Sequence, residues 1–185
     1  MGDKLRVGDR ILLIESNGIH ANGLSVARKV ADGLPEGYIT KMPDGRTYGE
    51  ALLSPSHIYA NLVREMFEQG IDIHYMVHVT GHGWRKLMRA PQSLRYVIEN
   101  IPVAQEEFGF IQDQTGMSDE EMYGTFNMGA GFAVFVPKQD VDKVIGIGKE
   151  NGLQILDAGR VAEGNKEVVI EPKKIVFSED SLRVR

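Results

Sequence analysis

The order of its apolar runs predicts an α+β chain built on a ferredoxin-like split βαβ core, a mixed sheet covered by helices. Three observations carry this. Apolar, β-branched runs at 11–14, 73–80 and 130–136 read as buried strands. Helical periods separate the first run from the second and follow the third, and shorter strand-like runs close the chain. A hydrophobic content of 42% over 185 residues is enough for a core, and 25% charged residues with a net charge of -5 fall short of the disordered regime.

The elements follow in order. The run 11–14 ends at Glu15-Ser16-Asn17-Gly18, a tight loop after a strand. A helix then runs from Leu24 until Gly33 stops it. Pro43-Asp44-Gly45 marks a turn. Residues 48–53 give a helical turn or two, after which Ser54 as cap and Pro55 at the first helical position open a second helix over 57–69, closed by Gly70. The strand 73–80 enters Gly81-His82-Gly83, followed by a brief helix at 85–90, a short strand at 95–98 and a helix over 102–114 with Pro102 at its start. Ser118-Asp119-Glu120-Glu121 is a capping-box pattern opening another helix. After the strand 130–136 come an amphipathic helix at 140–150, ended by Asn151-Gly152, and closing strands at 153–161 and 167–171. Residues 178–185 read as a polar, frayed tail, which leaves a single domain over 1–177.

Composition narrows the function. The absence of cysteine removes disulfides, thiolate metal sites and cysteine nucleophiles. No signal peptide is visible, and no apolar run approaches the ~18 residues of a membrane span, so a cytoplasmic protein without a membrane partner is expected. The acidic balance argues against nucleic acid as a partner. From Tyr96 to Pro137 there is no Lys or Arg, and Glu99, Glu106, Glu107, Asp113, Asp119, Glu120 and Glu121 bring that stretch to -7. Upstream stand Arg85, Lys86, Arg89 and Arg95, either a solvated helix face or a rim facing an anion.

Two glycine loops are candidate sites. In Ser16–Gly23 (SNGIHANG), between a strand and a helix, unpaired backbone N–H groups and glycines would let a phosphate approach, with Asn17, His20 and Asn22 adding polar side chains. The same residues are also what an ordinary strand-to-helix turn uses for positive φ. The second loop, Thr80-Gly81-His82-Gly83, again follows a strand, so the two can line one cleft. Asn127, ahead of a central strand, is a polar amide that needs a partner. His74, His78 and His82 recur at spacing four, but on a strand His74 and His78 lie about 13 Å apart, too far for one ion, so no metal site is expected; both are expected partly buried and hydrogen-bonded. Gly146-Ile147-Gly148 lacks the preceding strand of a dinucleotide fingerprint, and no P-loop exists.

Three segments in this order, SNGIHANGLSVARKV, TYGEALLSPSHIYANLV and EEMYGTFNMGAGFAVFV, together with VHVTGHGW, resemble the C-terminal domain of aminoimidazole ribonucleotide synthetase (phosphoribosylformylglycinamidine cyclo-ligase), over roughly residues 9–170. The resemblance implies that family's fold and a superfamily with formylglycinamidine ribonucleotide synthetase, selenophosphate synthetase, thiamine-phosphate kinase and a hydrogenase maturation protein. It implies a purine-biosynthetic ligase in which an N-terminal domain, absent from this chain, binds most of the ATP and Mg and makes the main contact of a homodimer. The C-terminal domain would close the cleft over a phosphorylated small-molecule substrate. His20, Asn22 and Gly23 match the family's HSNG segment, Thr80, Gly81 and Gly83 its glycine loop, and Asn127 its TFN motif, while the catalytic group stays unassigned. Alone, the chain is expected to be inactive and to need no cofactor. Departures at Ala21, His82 (a glycine in the family loop) and Arg85–Arg89 leave a second reading open, a non-catalytic phosphate- or nucleotide-binding or regulatory domain that keeps the fold.

Overall fold

The computed structural model describes residues 2–183. Its sheet contains β1 (Arg10–Glu15), β2 (Tyr75–His78), β3 (Arg95–Ile98), β4 (Ala130–Val136), β5 (Ile155–Ala162), β6 (Glu167–Ile170) and β7 (Ile175–Ser178). Its helices are α1 (Leu24–Gly33), α2 (Tyr48–Leu52), α3 (Ala60–Glu68), α4 (Glu106–Thr115), α5 (Asp119–Thr125) and α6 (Val141–Glu150). The strand order is β2-β4-β1-β5-β3-β6-β7. Both β1 and β2 pair antiparallel with β4, so they run parallel to each other with β4 inserted between them, and β5 closes antiparallel on β1. This is the split βαβ unit the sequence predicts. Beyond β5 the sheet is extended by β3, by β6 parallel to β3, and by β7, which makes it mixed.

Strand alternation decides what each face buries. Leu12 and Ile14 of β1, with Val134 and Val136 of β4, pack against Leu62 and Met66 of α3 and Val144 and Ile147 of α6. Ile11, Leu13, Ala133 and Phe135 point the other way, into a larger core with Ala27 and Val30 of α1, Tyr48 and Ala51 of α2, Phe108 and Ile111 of α4, and Met122 of α5. Each fully buried Leu, Ile, Phe or Met contributes about 1.5–3 kcal/mol. With both faces covered, β1 and β4 read as continuous apolar runs rather than alternating ones.

Several boundaries differ from the sequence reading. The helix expected at 57–69 starts at Ala60; its N-cap is Tyr59, without a side-chain cap, and Ser54 and Pro55 lie outside it. The cause is tertiary. Asn17 Nδ2 donates to Pro55 O and Tyr59 Oη donates to Glu15 O at 2.7 Å, so this stretch is drawn onto the loop after β1 before it can turn helical. Likewise α4 starts at Glu106 rather than Pro102, because the Gln105 amide reaches back to Ser16 O. The expected strand 73–80 is shorter, Tyr75–His78. The capping box at Ser118 and Glu121 forms, and Thr47 and Glu50 make another. β7 lies past the last strand read from the sequence, in a stretch given no element, and takes in Ser178, the first residue of the expected tail; its signal was the alternation of buried Ile175 and Phe177 with exposed Val176 and Ser178. After it comes a short helical turn, Glu179–Arg183, with Leu182 packed against the core rather than frayed, and residues 184–185 of the expected tail lie outside those described.

Of the paired histidines, His74 is buried and bonded to Asp9 at 2.7 Å and Asp72 at 3.0 Å. His78 is exposed and makes ring contacts with Tyr59 and Phe132 instead of the expected hydrogen bond. The acidic stretch is spent on structure. Asp119, Glu120 and Glu121 occupy the first turn of α5, Glu106 and Glu107 that of α4, where carboxylates oppose the helix dipole, and Glu99 pairs with Arg10 and Arg160.

Candidate functional site

The loop Ser16–Gly23 after β1 and the loop Val79–Gly83 after β2 emerge at the same end of two parallel strands, and buried amides join them. Asn22, wholly buried, donates Nδ2 to Val79 O at 3.0 Å and to Ile19 O at 3.3 Å, while its Oδ1 has no partner. Asn127, also wholly buried, donates Nδ2 to Gly18 O at 2.9 Å and Ile19 O at 3.2 Å. Its Oδ1 accepts from Ser16 Oγ at 2.8 Å and Gly129 N at 3.1 Å, and its own carbonyl accepts from Trp84 Nε1 at 2.7 Å. The partner that the Asn127 amide needs is therefore the first loop itself.

These contacts divide the candidate residues. Ser16, Asn22, Gly23, Gly83 and Asn127 are the frame. A Cβ on Gly23 would stand 2.1 Å from the Phe126 ring, and one on Gly83 2.1 Å from Tyr123 O, both at positive φ, so each glycine is explained by its packing against the end of α5. Asn17, His20, Thr80, Gly81 and His82 keep some surface. Gly81 has open space where a Cβ would point. His20 (φ 51), His82 (φ 73) and Met128 (φ 45) hold left-handed conformations uncommon for non-glycine residues, one in each of the three segments meeting here.

His20 has the most distinctive environment. Its Nε2 lies 2.7 Å from Asn17 Oδ1 and 3.4 Å from Asn17 N; because Asn17 Nδ2 is engaged with Pro55 O, the shorter contact favours the ring proton on Nε2, with Nδ1 as an acceptor. Burial first, then the neighbouring His57 and His78, lower its pKa to about 4, so it is neutral at pH 7. Tyr59 sits between these imidazoles, its ring centroid 6.4 Å from that of His20, 6.2 Å from His57 and 5.5 Å from His78. Gly131 of β4 makes room for it, since a Cβ there would meet Tyr59 Oη at 2.1 Å and His20 Cε1 at 3.0 Å. The sequence reading missed His57 and Tyr59 as neighbours of His20; the available signal was their place in the SPSHIYANL segment. Beside them, α3 and the free edge of β2 frame an open apolar groove of about 790 Å³ that includes Ile58, Val63, Phe67 and Phe132 but none of the candidate residues.

Beneath the first loop lies Glu107, wholly buried, with Oε2 3.1 Å from Arg46 Nη2 and Oε1 unpartnered. Burial raises its pKa, and Arg46 opposes the rise. Among the described residues no group of three or more His, Cys, Asp or Glu side chains converges. No helix among the described residues is long and apolar enough to cross a membrane.

The family described as "AIR synthase related protein, C-terminal domain" matches residues 6–171. The phosphoribosylformylglycinamidine cyclo-ligase of Methanococcus maripaludis is 38% identical over 174 residues, 94% of this chain and 49% of that protein. Its namesake from Methanocaldococcus jannaschii is 40% identical over 174 residues, 90% of this chain and 50% of that protein. The chain thus spans about half the length of the curated relatives it matches. Among solved structures, the E. coli hydrogenase maturation protein HypE superposes with a TM-score of 0.63 at 14% identity, covering 100% of this chain and 53% of the other. Thiamine-monophosphate kinase from Stenotrophomonas maltophilia gives 0.59 at 15%, covering 94% and 53%. At such identities these two likenesses speak for the fold.

Proposed function

Because the chain belongs to the AIR synthase related protein, C-terminal domain family, we propose that it is the substrate-cleft half of an ATP-dependent cyclo-ligase of purine biosynthesis, converting formylglycinamidine ribonucleotide into aminoimidazole ribonucleotide. The observation that carries this reading is the junction of the two glycine loops through Asn22 and Asn127, which fixes a shared rim of Asn17, His20, Thr80, Gly81 and His82. Such a rim is prepaid positioning of the kind ring closure demands.

In this reaction the formyl amide oxygen takes the terminal phosphoryl group of ATP, releasing ADP; an internal nitrogen then attacks the activated carbon, and the carbon–oxygen bond breaks as phosphate leaves. The residues of this chain hold the substrate. Neutral His20 offers Nδ1 as an acceptor for a substrate N–H, and Thr80 Oγ1, already accepting from Lys86 Nζ at 2.7 Å, keeps its own proton to donate. ATP and Mg belong to the other half of the enzyme, the partner of this domain in a homodimeric, cytoplasmic protein. The exposed Ile58 and Phe67 of the apolar groove are available to that partner.

The test is titration of the chain with formylglycinamidine ribonucleotide while backbone amides are followed by NMR. Shifts are expected at His20 and Gly81, and their absence would remove the cleft assignment. A second reading, a phosphate-binding or regulatory domain without ring-closing activity, draws on His82, which takes a left-handed conformation where the family loop carries glycine. Joining the chain to the half of a matching cyclo-ligase that it does not span and assaying ring closure separates the two.

A further inference from the structure

The four cations after the second loop have different fates. Arg85 donates Nη1 to Gly124 O at 2.7 Å and places its Cζ 4.5 Å from the centroid of the Phe177 ring, binding α5 to β7. Arg95 pairs with Glu167 at 2.6 Å. Lys86 and Arg89 have no such partner: among the described residues no carboxylate lies within ion-pair distance of either. Lys86 is half-buried, and among the described residues its ammonium donates to the Thr80 hydroxyl, a neutral group.

The surroundings supply no compensating charge. Between Asp72 and Glu99 the sequence has no acidic residue. Arg89 stands close enough to lower the pKa of Lys86, after burial, and Lys86 close enough to lower that of His78. A partly desolvated ammonium with donors to spare, a second cation beside it and an imidazole within reach make a destabilised arrangement that an anion relieves. An exposed lysine could instead swing into solvent, but the Thr80 bond holds this one against the glycine loop.

We propose that Lys86, Arg89, His78 and the Thr80 hydroxyl form a subsite for the phosphate group of a ligand at the end of β2. The inference deepens the proposed function and rests on its reading of the 80–83 loop as ligand-facing. It adds what the family pattern does not contain, because Lys86 and Arg89 lie in the segment where this chain departs from that pattern. The shared chemistry is a tetrahedral phosphate, carried on a ribose or released as inorganic phosphate.

The experiment titrates the whole chain with inorganic phosphate and, separately, ribose 5-phosphate at constant ionic strength, following the Thr80–Gly83 amides and the His78 ring by NMR. Saturable shifts and a rise in the His78 pKa are expected, with affinity at least tenfold weaker in Lys86→Met and Arg89→Met, whose unchanged melting temperatures would show that the fold survives. If only ribose 5-phosphate behaves so, the subsite takes a phosphate ester; if both do, it also takes the free ion. Failure of wild type to saturate with either, or equal affinity in the variants, overturns the proposal. Absence of the formylglycinamidine ribonucleotide response at His20 with the phosphate response of the Thr80–Gly83 amides and the His78 ring intact would instead refute the cleft reading and leave the subsite standing.

Discussion

At the scale of single residues, His20 makes a prediction whose sign is fixed. Its folded pKa of about 4 lies below the 6.5 of an unperturbed imidazole, so between these values the unfolded chain binds the proton more readily. Its contribution to stability is therefore full above about pH 6.5 and is lost as pH falls toward 4. NMR should show the His20 ring titrating near 4, and His20→Asn should flatten the acid side of the stability profile measured by urea unfolding. Asn127 offers a different test. Asn127→Ala strands Gly129 N and the Gly18 carbonyl in a buried setting and takes one partner each from Ser16 Oγ and Ile19 O, so a loss of at least about 2 kcal/mol is expected in the same measurement. That a buried amide ahead of β4 needs partners was legible in the sequence. Which partners was not, because Ser16, Gly18 and Ile19 lie more than a hundred positions away in the chain.

At the scale of elements, local chemistry was legible wherever it decided the outcome. The Ser118 capping box, the stop at Gly33 and the apolar runs of β1 and β4 are where the sequence places them, since caps, φ preferences and burial act within a few residues. The starts of α3 and α4 were misread for the opposite reason: the Ser16 loop captures the segments ahead of both helices, through the Asn17 side chain in one case and the Ser16 carbonyl in the other, and Pro55 and Pro102 lose to those long-range bonds. Gly131 ties the strand layer to this capture. Gly131→Ala should drive Tyr59 off Glu15 O and cost about 1–3 kcal/mol, with the His20 resonance shifting in the same variant. Gly83→Ala should be worse tolerated, because the obstacle there is backbone of the α5 end and φ is 52°. Thermal unfolding of the two variants side by side checks the order.

At the scale of the whole molecule, the chain has two covered sheet faces and should fold cooperatively on its own, yet it spans about half of the cyclo-ligases it matches. Expressed alone it is expected to unfold in a single transition and not to hydrolyse ATP at an enzymatic rate; a purified chain that did so would place catalytic groups in this half. The tryptophan at the seam has an optical consequence. Trp84 is the chain's sole indole, has no exposed surface, stacks edge-on to Tyr123 and donates to Asn127 O. Tryptophan emission therefore comes from one point, beneath the junction of the two glycine loops. Any ligand that tightens or loosens that junction should register as a change in one fluorophore's colour or intensity, and global unfolding as a red shift of the same signal, without a label attached.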